Sequence, residues 1–363
     1  MSPAAWPNPG RNNKTVKTTS ISLRTIAAAG VLALATLLTS CAGGDEAEGA
    51  SASNAKATLR FALDWTPNTN HTGLYVALKK GYFEEAGIDV EILPFNNSNP
   101  EVLVDAGQAE FGISFQDTAS MSMASGADLK SVLAVEQTWA TEVAVLAGRD
   151  DIQSPADLDG LTFGGFDNPA ETKTMQGVVQ SAGGDGEFET VTLGTSAYEA
   201  LYSGDVDFTV PYVAWEGIEA EHRGVDLKTF AYTDYGFPDA YQVIVVGNNT
   251  WLKDNPDIAR DFVQALARGY EDSVEDPESA AKILQEENAG LLTDLDMLVE
   301  SQQMLADDYM LDDNGDFGVQ TEQHWSELGQ FLFDSELLTD NNGKPLDKQP
   351  EWSEFFTNEY LQD

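Results

Sequence analysis

Short strands alternate with helices along most of this sequence, and this alternation narrows the folds that the chain can adopt. Leu59, Phe61 and Leu63 are apolar at every second position, which is typical of a strand. A helix pattern begins at Thr72, and strands and helices continue in turn up to Pro256, after which the pattern is almost wholly helical. The sequence therefore predicts an α/β protein with mainly parallel sheets.

An internal repeat predicts that the chain builds two similar lobes. Residues 106–114 resemble residues 203–211 in character, at an offset of 97 residues. Residues 59–61 and 161–163 correspond at nearly the same offset, and each is followed by a loop containing proline and then by a helix. We therefore expect two α/β units whose strand ends face each other across a cleft. Chance similarity between generic α/β segments is the alternative.

The loops that follow the strands are the candidate binding loops, because ligands of open α/β sheets bind outside the carboxyl ends of strands. This rule selects residues 64–71, 114–118, 164–171 and 211–216. Two of these loops place a tryptophan beside a carboxylate, in Asp64-Trp65 and in Trp215-Glu216, and none contains a lysine or arginine. A site built from aromatic rings and carboxylates, without a cation, suits a ligand with a flat, neutral or cationic ring that carries an amine. Such a site disfavours an anionic ligand.

The candidate ligand contacts lie on these loops and on the turn that follows residue 234. The predicted set is Asp64, Trp65, Asn68, His71, Phe115, Gln116, Phe166, Glu171, Tyr212, Trp215, Glu216, Tyr235 and Asp239. Single members have structural alternatives, since a tryptophan after a strand often packs in a core and an aspartate often caps a helix. Their shared position on facing loops is the argument for function. No catalytic residue is predicted.

The only cysteine of the chain, Cys41, predicts export and lipidation. It excludes a disulfide within the chain and a cysteine-based zinc site. It follows a basic segment and an apolar stretch at residues 26–38, and residues 38–41 (LTSC) resemble a bacterial lipobox. We predict a signal peptide over 1–40, lipid on Cys41 and a flexible tether over 41–56, so that the protein is anchored on the extracytoplasmic face of the cell membrane. An ordinary signal peptide with an incidental cysteine is the alternative.

The charge of the chain excludes several classes of partner. The sequence has 19 Lys+Arg against 61 Asp+Glu, a formal net charge of −42. Phosphate backbones and anionic membrane surfaces repel such a chain, so no nucleic-acid partner is expected. The histidines His71, His222 and His324 are far apart and show no metal-binding spacing, so neither a metal nor a cofactor is expected.

One long motif resembles a known family. Residues 63–77 (LDWTPNTNHTGLYVA), followed by residues 80–83 (KGYF), are similar to the opening signature of the SsuA/THI5-like (NMT1-type) family, in its ThiY-like branch of solute-binding lipoproteins for thiamine pyrimidine precursors. The resemblance runs from about residue 57 to residue 333 and includes 107–114, 154–158 and 215–217. The first motif is fairly specific, whereas the others also occur in sulfonate binders.

The resemblance implies a type II periplasmic-binding-protein fold. In that fold two α/β lobes are joined by two strand-like crossings, which we place near 142–146 and 242–246, and the C-terminal part is helical. The first lobe would take residues 57–142 and 243–363, and the second lobe residues 143–242. The helical C-terminal part would return to the first lobe.

The resemblance also implies a function in import. The protein would be a monomeric binding protein of an ABC importer that captures 4-amino-5-hydroxymethyl-2-methylpyrimidine or its N-formylamino relative and delivers it to the permease with its cytoplasmic ATPase. A sulfonate, or another heterocycle such as a flavin precursor, is the alternative ligand, and a lipoprotein sensor or adhesion module is a third class. The family's pyridoxal-phosphate-dependent pyrimidine synthase has a lysine and a histidine that align with Ser114 and Thr118, and a cysteine-rich motif that aligns with residues 236–241, which lack cysteine. No enzyme is therefore predicted.

Overall fold

The computed structural model describes residues 56–95, 99–166 and 169–361. The predicted signal peptide, Cys41 and the tether up to residue 55 lie outside the described residues, as do two residues of the third candidate loop, Asp167 and Asn168. Within the described ranges, no helix combines the length and apolar character needed to cross a membrane.

In the described part of the chain, ten strands form two five-stranded sheets. The first sheet has the order β2-β1-β3-β10-β4, with β1 (Ala57–Ala62), β2 (Ile88–Leu93), β3 (Phe111–Ser114), β4 (Leu129–Ala134) and β10 (Ile244–Asn248). The second has the order β7-β6-β8-β5-β9, with β5 (Val143–Leu146), β6 (Thr162–Gly165), β7 (Glu189–Thr192), β8 (Phe208–Thr209) and β9 (Leu227–Phe230). The two orders correspond strand by strand, as the internal repeat predicts. Each sheet with the helices packed on it is one lobe.

Both sheets are mixed: in each, four strands run in one direction, as the prediction of mainly parallel sheets requires, and one strand is antiparallel. In the first sheet β1 runs parallel to β2 and β3, whereas β10 is antiparallel to β3 and β4. In the second sheet β5 is likewise antiparallel to β8 and β9. In each sheet the antiparallel strand is the one that directly follows a connection from the other lobe. Parallel pairing needs a crossover connection, usually a helix, and no such helix precedes this strand.

The helices follow the start and stop signals of the sequence. Their bounds are α1 (Thr72–Lys80), α2 (Tyr82–Glu85), α3 (Pro100–Asp105), α4 (Gln116–Ala124), α5 (Pro169–Ser181), α6 (Ser196–Ser203), α7 (Ile218–His222), α8 (Asn249–Asp254), α9 (Pro256–Glu275), α10 (Pro277–Glu287), α11 (Leu295–Asp308) and α12 (Glu322–Asp334). Proline occupies the first turn of α3, α9 and α10, where its missing N–H costs no hydrogen bond. Gly81 ends α1 in the left-handed conformation at φ 80°.

The core of the first lobe is organised around α9. The ring of Phe262 stacks on Phe111 of β3 at 4.2 Å and on Phe83 at 5.2 Å, measured between ring centroids. Helix α9 crosses α1 so closely that a Cβ atom at Gly269 would lie 2.1 Å from the carbonyl oxygen of Gly73. Only glycine permits this distance between the two backbones, because any side chain would have to push the helices apart.

Two segments, 135–142 and 231–243, connect the sheets and are hydrogen-bonded to each other. Asp239 accepts hydrogen bonds from the Thr138 hydroxyl at 2.5 Å and from the Trp139 N–H at 3.0 Å. The crossings were predicted near 142–146 and 242–246. In the structure, residues 143–146 form β5 of the second sheet, and residues 244–246 belong to β10 of the first. The true connections therefore precede those strands.

The helices of the C-terminal part pack mainly on the first lobe. Helices α9 and α10 pack on α1, and α11 packs on α9 and α10. Helix α12 packs on α4 of the first lobe and also reaches α5 of the second lobe, where a Cβ at Gly177 would lie 2.7 Å from the ring of Phe331. Phe331 also packs against Phe237 of the second connection, at 4.8 Å between ring centroids. Helix α12 therefore contacts both lobes.

Candidate functional site

The loop after β1 presents a carboxylate that a buried histidine orients. The Nδ1 atom of His71 accepts the backbone N–H of Asn68 at 3.2 Å, so its Nε2 carries the proton and donates it to Asp64 Oδ1 at 2.7 Å. His71 is 0% exposed, whereas the Asp64 side chain keeps 10% of its surface exposed. The histidine thus orders the loop around Asp64. Direct contact between His71 and a ligand stays a prediction.

The two tryptophans of the candidate loops occupy different environments. Trp65 is 43% exposed and its ring lies 5.1 Å from that of Phe95, so it is a surface aromatic and not part of a core. Trp215 of the second lobe is partly buried and packs against a cluster on α10 and α11 that includes Leu284 and Leu298. Trp65 is therefore free to stack on a ligand, and Trp215 contributes to the contact between the lobes.

Tyr212, just after β8, connects two acidic side chains, one fully buried and one partly buried. Its backbone N–H donates to Glu216 Oε2 at 3.1 Å, and its hydroxyl donates to Glu136 Oε1. Glu136 is 0% exposed and lies two residues beyond the end of β4. It was missing from the residues predicted from the sequence, although the strand-end rule would have selected it had the rule been applied to β4.

Burial raises the pKa of several carboxyl groups on the candidate loops and on the neighbouring elements. It raises the pKa of Glu136 to about 8 and that of Glu216 to about 7. Burial also raises the pKa values of Glu101, Asp117, Glu142 and Glu171. In the described part of the chain, none of these six groups forms an ion pair with a lysine or arginine. A ligand that brings N–H donors or positive charge would compensate them.

The acidic groups of the two lobes are close enough to influence one another. Burial raises the pKa of Tyr232, and Glu171 and Asp117, which belong to different lobes, raise it further. The pKa of Glu101 is raised mainly by burial and in addition by Asp64 and Asp117. Asp117 of the first lobe and Glu171 of the second therefore both lie near Tyr232.

An aromatic pair lies beside the third candidate loop. The rings of Phe166 and Tyr198 are 5.8 Å apart, and the Phe166 N–H donates to Glu171 Oε2 at 2.9 Å. Tyr198 was not among the predicted residues, since it lies on α6 and not on a loop after a strand. Its position shows that the strand-end rule misses residues that neighbouring helices contribute.

Other members of the predicted set hold the scaffold together. Gln116 is 1% exposed; its Oε1 accepts the Tyr241 N–H at 2.8 Å, and its Nε2 donates to the His324 carbonyl oxygen at 3.3 Å. Asp239 joins the two connections, as described above. Tyr235 packs edge-on to Phe230 at 6.1 Å. Ligand contacts by Gln116, Asp239 and Tyr235, and by the partly buried Phe115, stay predictions.

Solved structures define the class of protein to which this fold belongs. The chain resembles the alkanesulfonate-binding protein SsuA from Xanthomonas axonopodis pv. citri bound to MOPS, with a TM-score of 0.62 and 13% identity over 83% of this chain and 98% of that one. The fold is thus that of the periplasmic binding proteins, which confirms the fold class expected from the sequence.

The family follows from the sequence relatives. Residues 68–280 match the NMT1/THI5 like family model, and the chain belongs to this family. It is 32% identical to the formylaminopyrimidine-binding protein of Halalkalibacterium halodurans, over 83% of this chain and 90% of that protein. It is 27% identical to the riboflavin-binding protein RibY of Chloroflexus aurantiacus, over 86% and 89%. A 4-amino-5-hydroxymethyl-2-methylpyrimidine phosphate synthase of Legionella pneumophila is 22% identical, over 86% and 94%.

Proposed function

We propose that this protein captures a small pyrimidine that bears an amine outside the cytoplasmic membrane and delivers it to the permease of an ABC importer. The observation that carries the proposal is the set of fully or partly buried carboxyl groups near the strand ends of both lobes, which lack lysine or arginine partners within the described ranges. The 32% identity to a formylaminopyrimidine-binding protein supports the same ligand class. Our specific candidates are 4-amino-5-hydroxymethyl-2-methylpyrimidine and its N-formylamino relative.

The residues at the family's catalytic positions support a binding role instead of an enzymatic one. Ser114, where the fungal-type synthase has its lysine, is buried and donates its hydroxyl to Glu101. Thr118 stands where that enzyme has its histidine. Neither side chain can form a Schiff base, so the synthase chemistry has no amine to begin from.

A thermal-shift screen tests the proposed ligand class. A ligand that binds only the folded state raises the melting temperature, by an amount that grows with its concentration relative to its Kd. We expect both aminopyrimidines to raise the melting temperature, and riboflavin and MOPS to leave it unchanged. A shift with MOPS or riboflavin alone would replace the proposal by the sulfonate or flavin alternative.

We further propose that Cys41 carries the lipid that anchors the protein to the outer face of the membrane. Replacing Cys41 with Ser should move most of the protein from the membrane fraction to the soluble fraction, because stable anchoring needs acyl chains that serine at this position would not receive. Ser40→Ala keeps a small residue before the cysteine and is the matched control, which should stay in the membrane fraction. Equal membrane association of Cys41→Ser and the parent would contradict the lipid anchor.

A further inference from the structure

Glu136 is a buried acid with a single side-chain partner. Its Oε1 accepts the hydrogen bond of the Tyr212 hydroxyl, and its Oε2 is buried without any partner in the described residues. The side-chain hydrogen bond that connects Glu136 to the candidate site is therefore the one from Tyr212.

Tyr212 belongs to the second lobe but docks on the first. Its ring and the neighbouring Ala214 pack against the core cluster of the first lobe that contains Phe262. The segment Val213–Gly217 that follows is a single π-helical turn, a rare conformation that often occurs at functional sites. Glu216 lies within this turn and accepts the N–H of Tyr212. The position of Glu216 is thus coupled to the position of Tyr212.

The turn packs against α7 and α11 and borders a groove. This groove has a volume of about 380 Å³ and is lined by Val213 and Gly217 of the second lobe and by Met304 and Tyr309 from the first. Side chains that border it lack, on that side, the contacts that a filled core would supply. The hydrogen bond between Tyr212 and Glu136 is a restraint on the other side.

We propose that Glu136 is a positioning residue of the ligand site, which fixes Tyr212 and, through it, sets Glu216 in its ligand-binding position. The inference rests on the proposed function, in which Glu216 accepts hydrogen bonds from the ligand. It also explains why an acid is kept at a fully buried position, since an apolar residue there would leave the Tyr212 hydroxyl without a partner.

Burial and the nearby Asp64 raise the pKa of Glu136, whereas the hydrogen bond from Tyr212 lowers it. Asp64 faces it from the loop after β1, Tyr212 from the loop after β8, Tyr270 from α9 and Tyr309 from the end of α11. No lysine or arginine faces it from these elements. Ionised Glu136 would add a second negative charge near Asp64, and burial raises the pKa of Glu136 to about 8.

Titration calorimetry at pH 7 with 4-amino-5-hydroxymethyl-2-methylpyrimidine tests the positioning role. We expect Glu136→Leu and Tyr212→Phe each to weaken binding by about tenfold, the effect of one lost hydrogen bond. The double variant should be no weaker than either single one, because both act through one bond. Glu136→Gln, which can still accept from Tyr212, should recover most of the lost affinity. Additive effects of the two single substitutions would overturn the proposal.

Gln302→Leu is the matched control for mere loss of a buried polar group. Gln302 lies on α11, and its Oε1 is also buried without a partner in the described residues. Its replacement should change the melting temperature and leave the Kd within about twofold of the parent. If Glu136→Leu behaves in the same way as Gln302→Leu, the role of Glu136 is structural only.

Hydrogen exchange without ligand separates this proposal from the proposed function. Exchange of the amides at residues 211–217 should be faster in Glu136→Leu than in Glu136→Gln, because only the leucine variant removes the restraint on the Tyr212 side chain. Equal exchange in the two variants would overturn the positioning role, whichever ligand the parent binds. If the parent does not bind the pyrimidine but exchange differs as expected, the proposed ligand is wrong and the positioning of the turn stands.

Discussion

Replacing Glu216 with glutamine should weaken binding of an aminopyrimidine by about 10- to 150-fold. A hydrogen bond to a charged acceptor is worth about 1.5–3 kcal/mol, and this range converts to that loss of affinity. Glu216 already accepts the Tyr212 N–H through Oε2, which orients the carboxylate and leaves its remaining lone pairs for a ligand amino group. Calorimetric titration of the parent and the variant at pH 8 measures the effect.

The pH dependence of binding provides a second readout of the same residue. Burial raises the pKa of Glu216 to about 7, so the carboxylate forms only as the pH rises through that value. The affinity of the parent should therefore increase between pH 6 and pH 8. The affinity of Glu216→Gln should not show this increase, because glutamine does not ionise.

Glu219→Gln is the matched control for the charge change at residue 216. Glu219 lies one turn further on, on α7, and forms an ion pair with Arg223 at 2.6 Å on the surface. At pH 8, above the pKa of Glu216, the replacement of Glu219 should leave the affinity unchanged, since surface ion pairs contribute about 0–1 kcal/mol and the effect of Glu219 on that pKa no longer matters. Unchanged binding by Glu216→Gln would show that this carboxylate does not contact the ligand. Tighter binding of a sulfonate by Glu216→Gln would indicate a site shaped for anions.

Replacing Gly269 with alanine should lower the free energy of unfolding by about 3 kcal/mol or more. The added Cβ would lie 2.1 Å from the carbonyl oxygen of Gly73 and 2.8 Å from the Cβ of Ala77, so α1 and α9 would have to separate. Overpacking of a well-packed core typically costs about 1–3 kcal/mol, and here the obstacle is backbone, which yields less than a side chain. Alanine's higher helix propensity, about 1 kcal/mol, offsets only part of this cost.

Gly290→Ala is the control for the effect of alanine itself. A Cβ at Gly290 would have no atom within 4 Å, so its free energy of unfolding should stay within about 1 kcal/mol of the parent. Urea unfolding of the parent and the two variants measures the difference. Equal midpoints for Gly269→Ala and Gly290→Ala would mean that the two helices can separate at little cost.

Local signals in the sequence determined the elements and the repeat that organises them. Alternating apolar residues marked β1 and β2, and proline or glycine marked the ends of α1, α3 and α9, because these effects act within a few residues of the chain. The repeat at an offset of 97 residues predicted two similar lobes, and the two sheets of the structure have corresponding strand orders. The strand-end rule then selected Asp64, which follows β1, and Glu216, which follows β8.

Only the tertiary structure decided the pairings between distant segments. The direction of β10 depends on strands more than 100 residues away, so no local pattern reports that it is antiparallel. The role of Gln116 depends on Tyr241 and His324. The side chain of Gln116 forms hydrogen bonds with the backbone of both residues and does not point into an open cleft. Glu136 acquires its uncharged state and its link to Tyr212 only when the two lobes meet around it. A hydrogen bond or a raised pKa is a property of the groups that surround a residue in space, and its chain neighbours do not specify those groups.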